Sequence, residues 1–162
     1  MGNKKTTKER GLFKQEIHSA LYKNENIREI LLGDTSGMST AMVMAEFKKH
    51  VKSHLFIEDT ITDTGTYIYY DVIMPQLHSN TKDCRVTMYL ICHRDILDNG
   101  YTKEGYVGDR ADILSQMVEE TLLDKSVVNN FGIGELTLDS INIYNATRFY
   151  GCILTFVVPN FR

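Results

Sequence analysis

The stretch 108–123, GDRADILSQMVEETLL, leaves fewer folding options open than any other part of this chain. Ile113, Leu114, Met117, Val118, Thr121 and Leu122 recur at steps of three and four, which gathers them on one helical face. Arg110, Gln116, Glu119 and Glu120 fall away from that face, so the element is an amphipathic helix. Asp109 is placed to accept hydrogen bonds from the first free amides, and Asp112 adds negative charge at the positive end of the helix dipole. On either side, 84–93, 133–144 and 147–158 are rich in branched and aromatic residues that suit a pleated sheet. A helix packed on an antiparallel sheet is the expected centre of the molecule.

With 162 residues and 43 % hydrophobic content, the chain can bury one core without disulfide or metal support. Residues 1–7 read as a mobile polar tail and 8–162 as a single domain. The net charge is −3 and the basic residues are dispersed, apart from Lys4, Lys5, Lys8 and Arg10. That distribution argues against nucleic acid as a specific partner. Cys84, Cys92 and Cys152 each fall in an apolar strand pattern, and three thiols cannot all pair internally. Buried free cysteines in a reducing compartment are expected. No apolar run has the length of a membrane span, and the first residues lack the apolar centre of a signal peptide.

Along the chain, a helical stripe at Leu12 or Phe13, Ile17, Ala20 and Leu21 is interrupted near Asn24-Glu25-Asn26 and resumes with Ile27, Ile30 and Leu31. Gly33 stops it. A second helix is expected from an N-cap at Ser39 or Thr40 to about Lys52. Met38, Met42 and Ala45 share one side of it, and Val43, Phe47 and Val51 another, so its buried direction stays open. Strands follow at 66–74 and 84–93, the first apolar on both faces, and the two should form a hairpin. The segment 95–107 is longer than a tight connection needs. It carries Tyr101 and Tyr106, either as a projecting contact surface or folded back as a small core beneath the loop. After the capped helix, a strand defined by Leu136, Leu138, Ile141 and Ile143 has an irregularity near Asp139-Ser140, and a last strand runs from about Phe149 to Val158. The expected fold is α+β, a mainly antiparallel four-stranded sheet with helices packed on one side, in the order ααββαββ.

Chemistry-bearing patterns fade on inspection. The segment 33–40 has the glycines and hydroxyls of a phosphate loop but lacks its Gly-Lys-Ser/Thr ending and reads as a connection. His50 and His54 share a helical face, yet no glutamate follows His50 and no third ligand can be assigned. Cys92 and His93 are neighbours in a strand, so their side chains leave opposite faces. Glu58, Asp59 and Asp63 lack ordered calcium-loop spacing and read as a solvated acidic loop. Catalytic residues, metal ligands and cofactors are therefore not expected. The start Met1-Gly-Asn-Lys-Lys-Thr fits an acylation pattern only formally.

Five stretches carry a resemblance over most of the chain. They are FKQEIHSAL from Phe13, IREILLG from Ile27, RVTMYLIC from Arg85, RADILSQMV from Arg110 and RFYGCILTF from Arg148. As an order of elements they resemble the tail terminator or tail-completion family of tailed-bacteriophage neck proteins. The helix at 39–52 and the segment 95–107 have no counterpart in that pattern. The resemblance implies a structural virion protein, made in the bacterial host cytoplasm, which forms a ring, commonly sixfold. Such a ring terminates the tail tube and joins it to the head connector, without catalysis. Tail-tube and head-connector proteins would be the partners, with no membrane. Candidate interface residues are Lys4 and Lys5 in the basic start, Tyr101 and Tyr106 in the aromatic loop, and Phe161 and Arg162 at the end of the sheet. A head-completion adaptor or tail-tube relative is the nearest alternative; a small hydrolase or a regulatory binding domain is the alternative of another class.

Overall fold

The computed structural model describes residues 6–58, 64–75, 82–98, 101–124 and 136–161, with the backbone alone at 82–83 and 159–161. Helix α1, Thr6–Lys23, turns Phe13, Ile17, Ala20 and Leu21 inward and leaves Leu12 exposed, which settles the choice between Leu12 and Phe13 that the sequence spacing leaves open. Asn24 then separates it from α2, Glu25–Leu32. Its side-chain oxygen accepts from the Ile27 amide at 3.1 Å while its side-chain nitrogen donates to Thr121 Oγ1 at 2.8 Å. One residue thus caps the second helix and ties the break to a distant element. Gly33 closes α2 at φ 72°, with its amide on the Glu29 carbonyl at 2.8 Å; a left-handed residue there favours glycine.

Helix α3, Thr40–His50, begins at Ser39, whose hydroxyl accepts from the Met42 amide. Val43 and Phe47 are buried and Met42 and Met44 are exposed, which decides the facing that the sequence left open. The helix stops two residues before the expected Lys52. Val51 turns extended, and Val51–Lys52 becomes strand β1, parallel to Ile68 and Tyr69. A β-branched residue tolerates that change well.

The remaining strands are β2, Thr66–Ile73, β3, Lys82–His93, β4, Thr137–Asn145, and β5, Phe149–Phe161. Between β3 and β4 runs α4, Arg110–Leu123, opened by a reciprocal capping box between Asp109 and Asp112. The sheet has the order β1-β2-β3-β5-β4. It is five-stranded and mixed rather than four-stranded and antiparallel, and three helices rather than two precede β2. A two-residue strand is too short to leave a periodic signature, which is why the sequence did not reveal β1. The expected hairpin pairs β2 with β3, Tyr69 facing Tyr89. The expected irregularity in β4 is a register shift between Leu138 and Ser140.

The four helices among the described residues cover one face of the sheet. Phe13, Phe47, Ile27, Ile30, Leu114 and Met117 meet Ile68, Tyr70, Val86, Met88, Leu154 and Phe156 in one continuous core. Full burial of each such side chain stabilises by about 1.5–3 kcal/mol before chain entropy is counted. The opposite face carries a smaller cluster of Tyr67, Tyr69, Ile91 and Phe149, with Ile57, Tyr89 and Tyr144 packed against it. Along the helix layer, α3 lies on β1 and β2, while α4 lies on β3 and β5. The layer stops short of the outer part of β4, leaving Ile141 63 % and Ile143 68 % exposed.

Candidate functional site

The segment 101–109 does not project. Tyr101 and Tyr106 are half-buried and pack against the main core. The Tyr101 hydroxyl donates to Glu29 at 3.0 Å, Lys103 reaches the same carboxylate at 3.3 Å, and the Arg110 guanidinium lies 5.1 Å above the Tyr101 ring. Burial, then the bond to Glu29, pushes the Tyr101 phenol up to about 12. Tyr106 donates to Glu120 at 2.7 Å. Gln116 brackets Val107, accepting from its amide at 3.2 Å and donating to its carbonyl. The loop is strapped to α2 and α4, and Val107, 75 % exposed, is its outermost apolar group. Of the other residues singled out in sequence, Lys4, Lys5 and Arg162 lie outside the described residues. Phe161 ends β5, its backbone in register with Lys82.

The histidine pair that sequence spacing offered as ligands is divided between two neighbours. His50 Nδ1 lies 2.8 Å from the Thr66 carbonyl, and its ring stacks on Tyr67 with centroids 4.9 Å apart. His54 meets Tyr69 edge-on and accepts from the Phe56 amide. Among the described residues, His, Cys, Asp and Glu form no group of three able to hold a metal ion. Burial pushes the Cys84 and Cys92 thiols up to about 12, so both are poor nucleophiles at neutral pH. His93, beside Cys92 in sequence, instead caps the turn at Asp95 and meets the Phe149 ring edge-on. The buried Tyr69 hydroxyl has no partner among the described residues; burial raises it to about 12.

Apart from Leu12, Ile73 and Val107, the exposed large apolar groups lie toward the two lateral ends of the sheet. At one end Ile141 and Ile143 stand on β4, which pairs with β5, the strand that α4 covers. The adjoining flank of α4 is fixed by its contact with β5: Ser115 hydrogen bonds the Cys152 thiol, and Asp112 is close enough to raise it further, burial being the larger cause. Helical spacing then continues that flank through Glu119 to Leu123, itself 39 % exposed. The result is an apolar strip on β4, with Asp139 exposed on the same strand.

At the other end Met42 and Met44 are 54 % and 46 % exposed on α3, and Phe56, just after β1, is 69 % exposed. Between α1 and the α3–β1 junction lies a groove of about 640 Å³. Tyr22, Met44 and Tyr70 supply apolar surface; Lys14, Lys48 and Lys52 supply charge, and no carboxylate among the described residues lines it. Lys14 is already committed, at 2.8 Å from Asp71 and 2.9 Å from the Ser53 carbonyl. His18 also lines the groove, and burial followed by the nearby Lys48 holds its pKa below the usual histidine range. Sequence reasoning passed over both ends. The available signals were the Ile141–Ile143 alternation and the methionines Met42 and Met44 of α3, but neither says which side is covered.

These features define a small α+β protein whose surface chemistry is concentrated at two unlike ends of one sheet. A family model matches residues 14–158, and the chain belongs to the YomW family, a phage-derived family of Bacillus-type prophage proteins. No curated protein matches the chain significantly. Among the described residues no helix is long and apolar enough to cross a membrane.

Proposed function

We propose that this chain is a structural virion protein of the phage neck. It assembles into a ring that terminates the tail tube and joins it to the head connector, acting by assembly without turnover. Family membership supplies the phage context, and the order of elements supports the neck in particular. The observation that carries the reading is the separation of two different exposed apolar surfaces, Ile141 and Ile143 at one end of the sheet and Met42, Met44 and Phe56 at the other. A ring protomer needs such a pair, because head-to-tail contacts join unlike patches and close when the rotation between copies allows. A two-fold dimer would need only one self-complementary patch.

Sedimentation of the purified protein, alone and with isolated tail tubes, tests this directly. Closed rings of uniform size seen by electron microscopy, bound at tube ends, are expected. A protein that stays monomeric at high concentration and leaves tube ends bare refutes it.

A further inference from the structure

The two ends are complementary in charge as well as unlike in shape. The groove between α1 and the α3–β1 junction is lined by three lysines and two histidines, with no carboxylate among the described residues, in a chain whose net charge is −3. Lys14 is spent on Asp71, whereas Lys48 and Lys52 make no ion pair among the described residues. At the far end, α4 contributes Asp112, Glu119 and Glu120 against Arg110. Arg110 is turned inward, donating to Thr66 Oγ1 at 2.7 Å and to the Ile30 carbonyl at 2.8 Å, so it does not offset those acids at the surface. Glu120 is bound to Tyr106 and Asp112 caps its own helix, which leaves Glu119 on the flank of α4 that covers β5, and the exposed Asp139 on the same strand as Ile141 and Ile143.

We infer that the Lys48–Lys52 groove of one copy seats Glu119, Asp139 and the Ile141–Ile143 strip of the next. This rests on the ring reading for the identity of the occupant, a second copy of this chain. The apolar surface of Tyr22 and Met44 suits isoleucine better than it suits a phosphodiester backbone, and the lysines set the register. Exposed ion pairs add little affinity each but reject like charge strongly and respond to salt, so reversal tests the contact better than deletion does.

Two double variants, K48E/K52E and E119K/D139K, test it by sedimentation velocity. Circular dichroism and thermal melting of each variant check that the fold is intact, and all four positions are exposed or half-buried surface sites. Each variant alone should weaken self-association at least tenfold. Mixing the two should restore mixed assemblies, and high salt should weaken the wild type. Folded variants that assemble as the wild type does, or that fail to rescue each other, overturn the contact. So does a monomeric wild type that binds a DNA oligonucleotide through Lys48 and Lys52. Assemblies that obey the charge swap but ignore tail tubes would overturn the neck reading and keep the contact. Assemblies that bind tubes and ignore the swap would do the reverse.

Discussion

Replacing Ile141 and Ile143 together by aspartate separates a surface kept for a partner from one kept for the fold. Both residues are about two-thirds exposed, so only about a third of each side chain contributes to folding. A fully buried isoleucine is worth about 1.5–3 kcal/mol, which scales to roughly 0.5–1 kcal/mol per site. The lower strand propensity of aspartate adds up to about 1 kcal/mol more. The monomer should therefore lose about 1–4 kcal/mol and still fold. If a neighbouring copy covers the remaining two-thirds, the same rule gives about 1–2 kcal/mol per isoleucine, or roughly 30- to 1,000-fold in the dissociation constant for the pair. Aspartate would also carry two charges into an apolar contact, so the upper end is expected. Urea unfolding measures the first quantity and sedimentation equilibrium the second. The comparison variant is Leu154→Ala, opposite Ile141 in register but 1 % exposed, which should cost about 2–5 kcal/mol of stability. An I141D/I143D protein that fails to fold, or that associates as the wild type does, refutes the reasoning.

Gly151 lies opposite Ile91, and a Cβ there would stand 1.9 Å from the Leu90 carbonyl oxygen and 2.8 Å from Ile91 Cα. Because the obstacle is backbone, Gly151→Ala should cost about 3 kcal/mol or more and deprotect β3 and β5 amides in hydrogen exchange. Asn24→Ala removes the cap of α2 and leaves Thr121 without its donor, so urea unfolding should show a loss of about 1–2 kcal/mol, more than Ser39→Ala at an exposed cap. Acid should weaken the fold in two steps. His18 has its pKa lowered by burial and by Lys48, so its contribution is present above the unfolded value of about 6.5 and falls as the unfolded chain protonates first. Burial of Asp71 works against ionisation, but the bond from Lys14, the Val72 amide and Arg10 outweigh it and lower its pKa. That stability is present above the ordinary carboxylate range and is lost as pH falls through the depressed value. Melting temperature against pH should lose its upper step in His18→Gln and its lower step in Asp71→Asn.

How far the sequence could be read follows from how local each cause is. The N-cap at Asp109, the break near Asn24 and the irregularity near Asp139-Ser140 lie in short local patterns, and each was visible, whereas the reciprocal bond from Asp112 was not. The strand character of β2 and β3 and their hairpin were equally plain, and eight consecutive residues pair in one register. By contrast, β1 depends on Val51 meeting Ile68 across the chain, and the facing of α3 depends on Phe47 reaching a core that α1 helps to form. Tyr101 and Tyr106 illustrate the same limit. Their sequence fits an exposed aromatic loop or a folded one, and the choice is made by Glu29 and Glu120, 72 and 14 residues away. The two lateral surfaces were illegible for a related reason. Ile141 and Ile143 follow the apolar pattern of core positions, and only the width of the helix layer leaves them outside.

That width has a consequence for assembly. An outer strand of nine residues with exposed isoleucines is a template for uncontrolled strand addition unless something blunts it. Here the register shift between Leu138 and Ser140 interrupts the ladder, and Asp139 places a charge at the interruption. The other edge of the sheet is a two-residue strand, too short to accept a long partner. Backbone pairing between copies is thus disfavoured at both ends, while side-chain contact remains open through the isoleucines at one end and the methionines, Phe56 and lysines at the other. A protomer arranged in this way can associate in one polarity through unlike patches while resisting sheet growth, and a finite ring requires both properties.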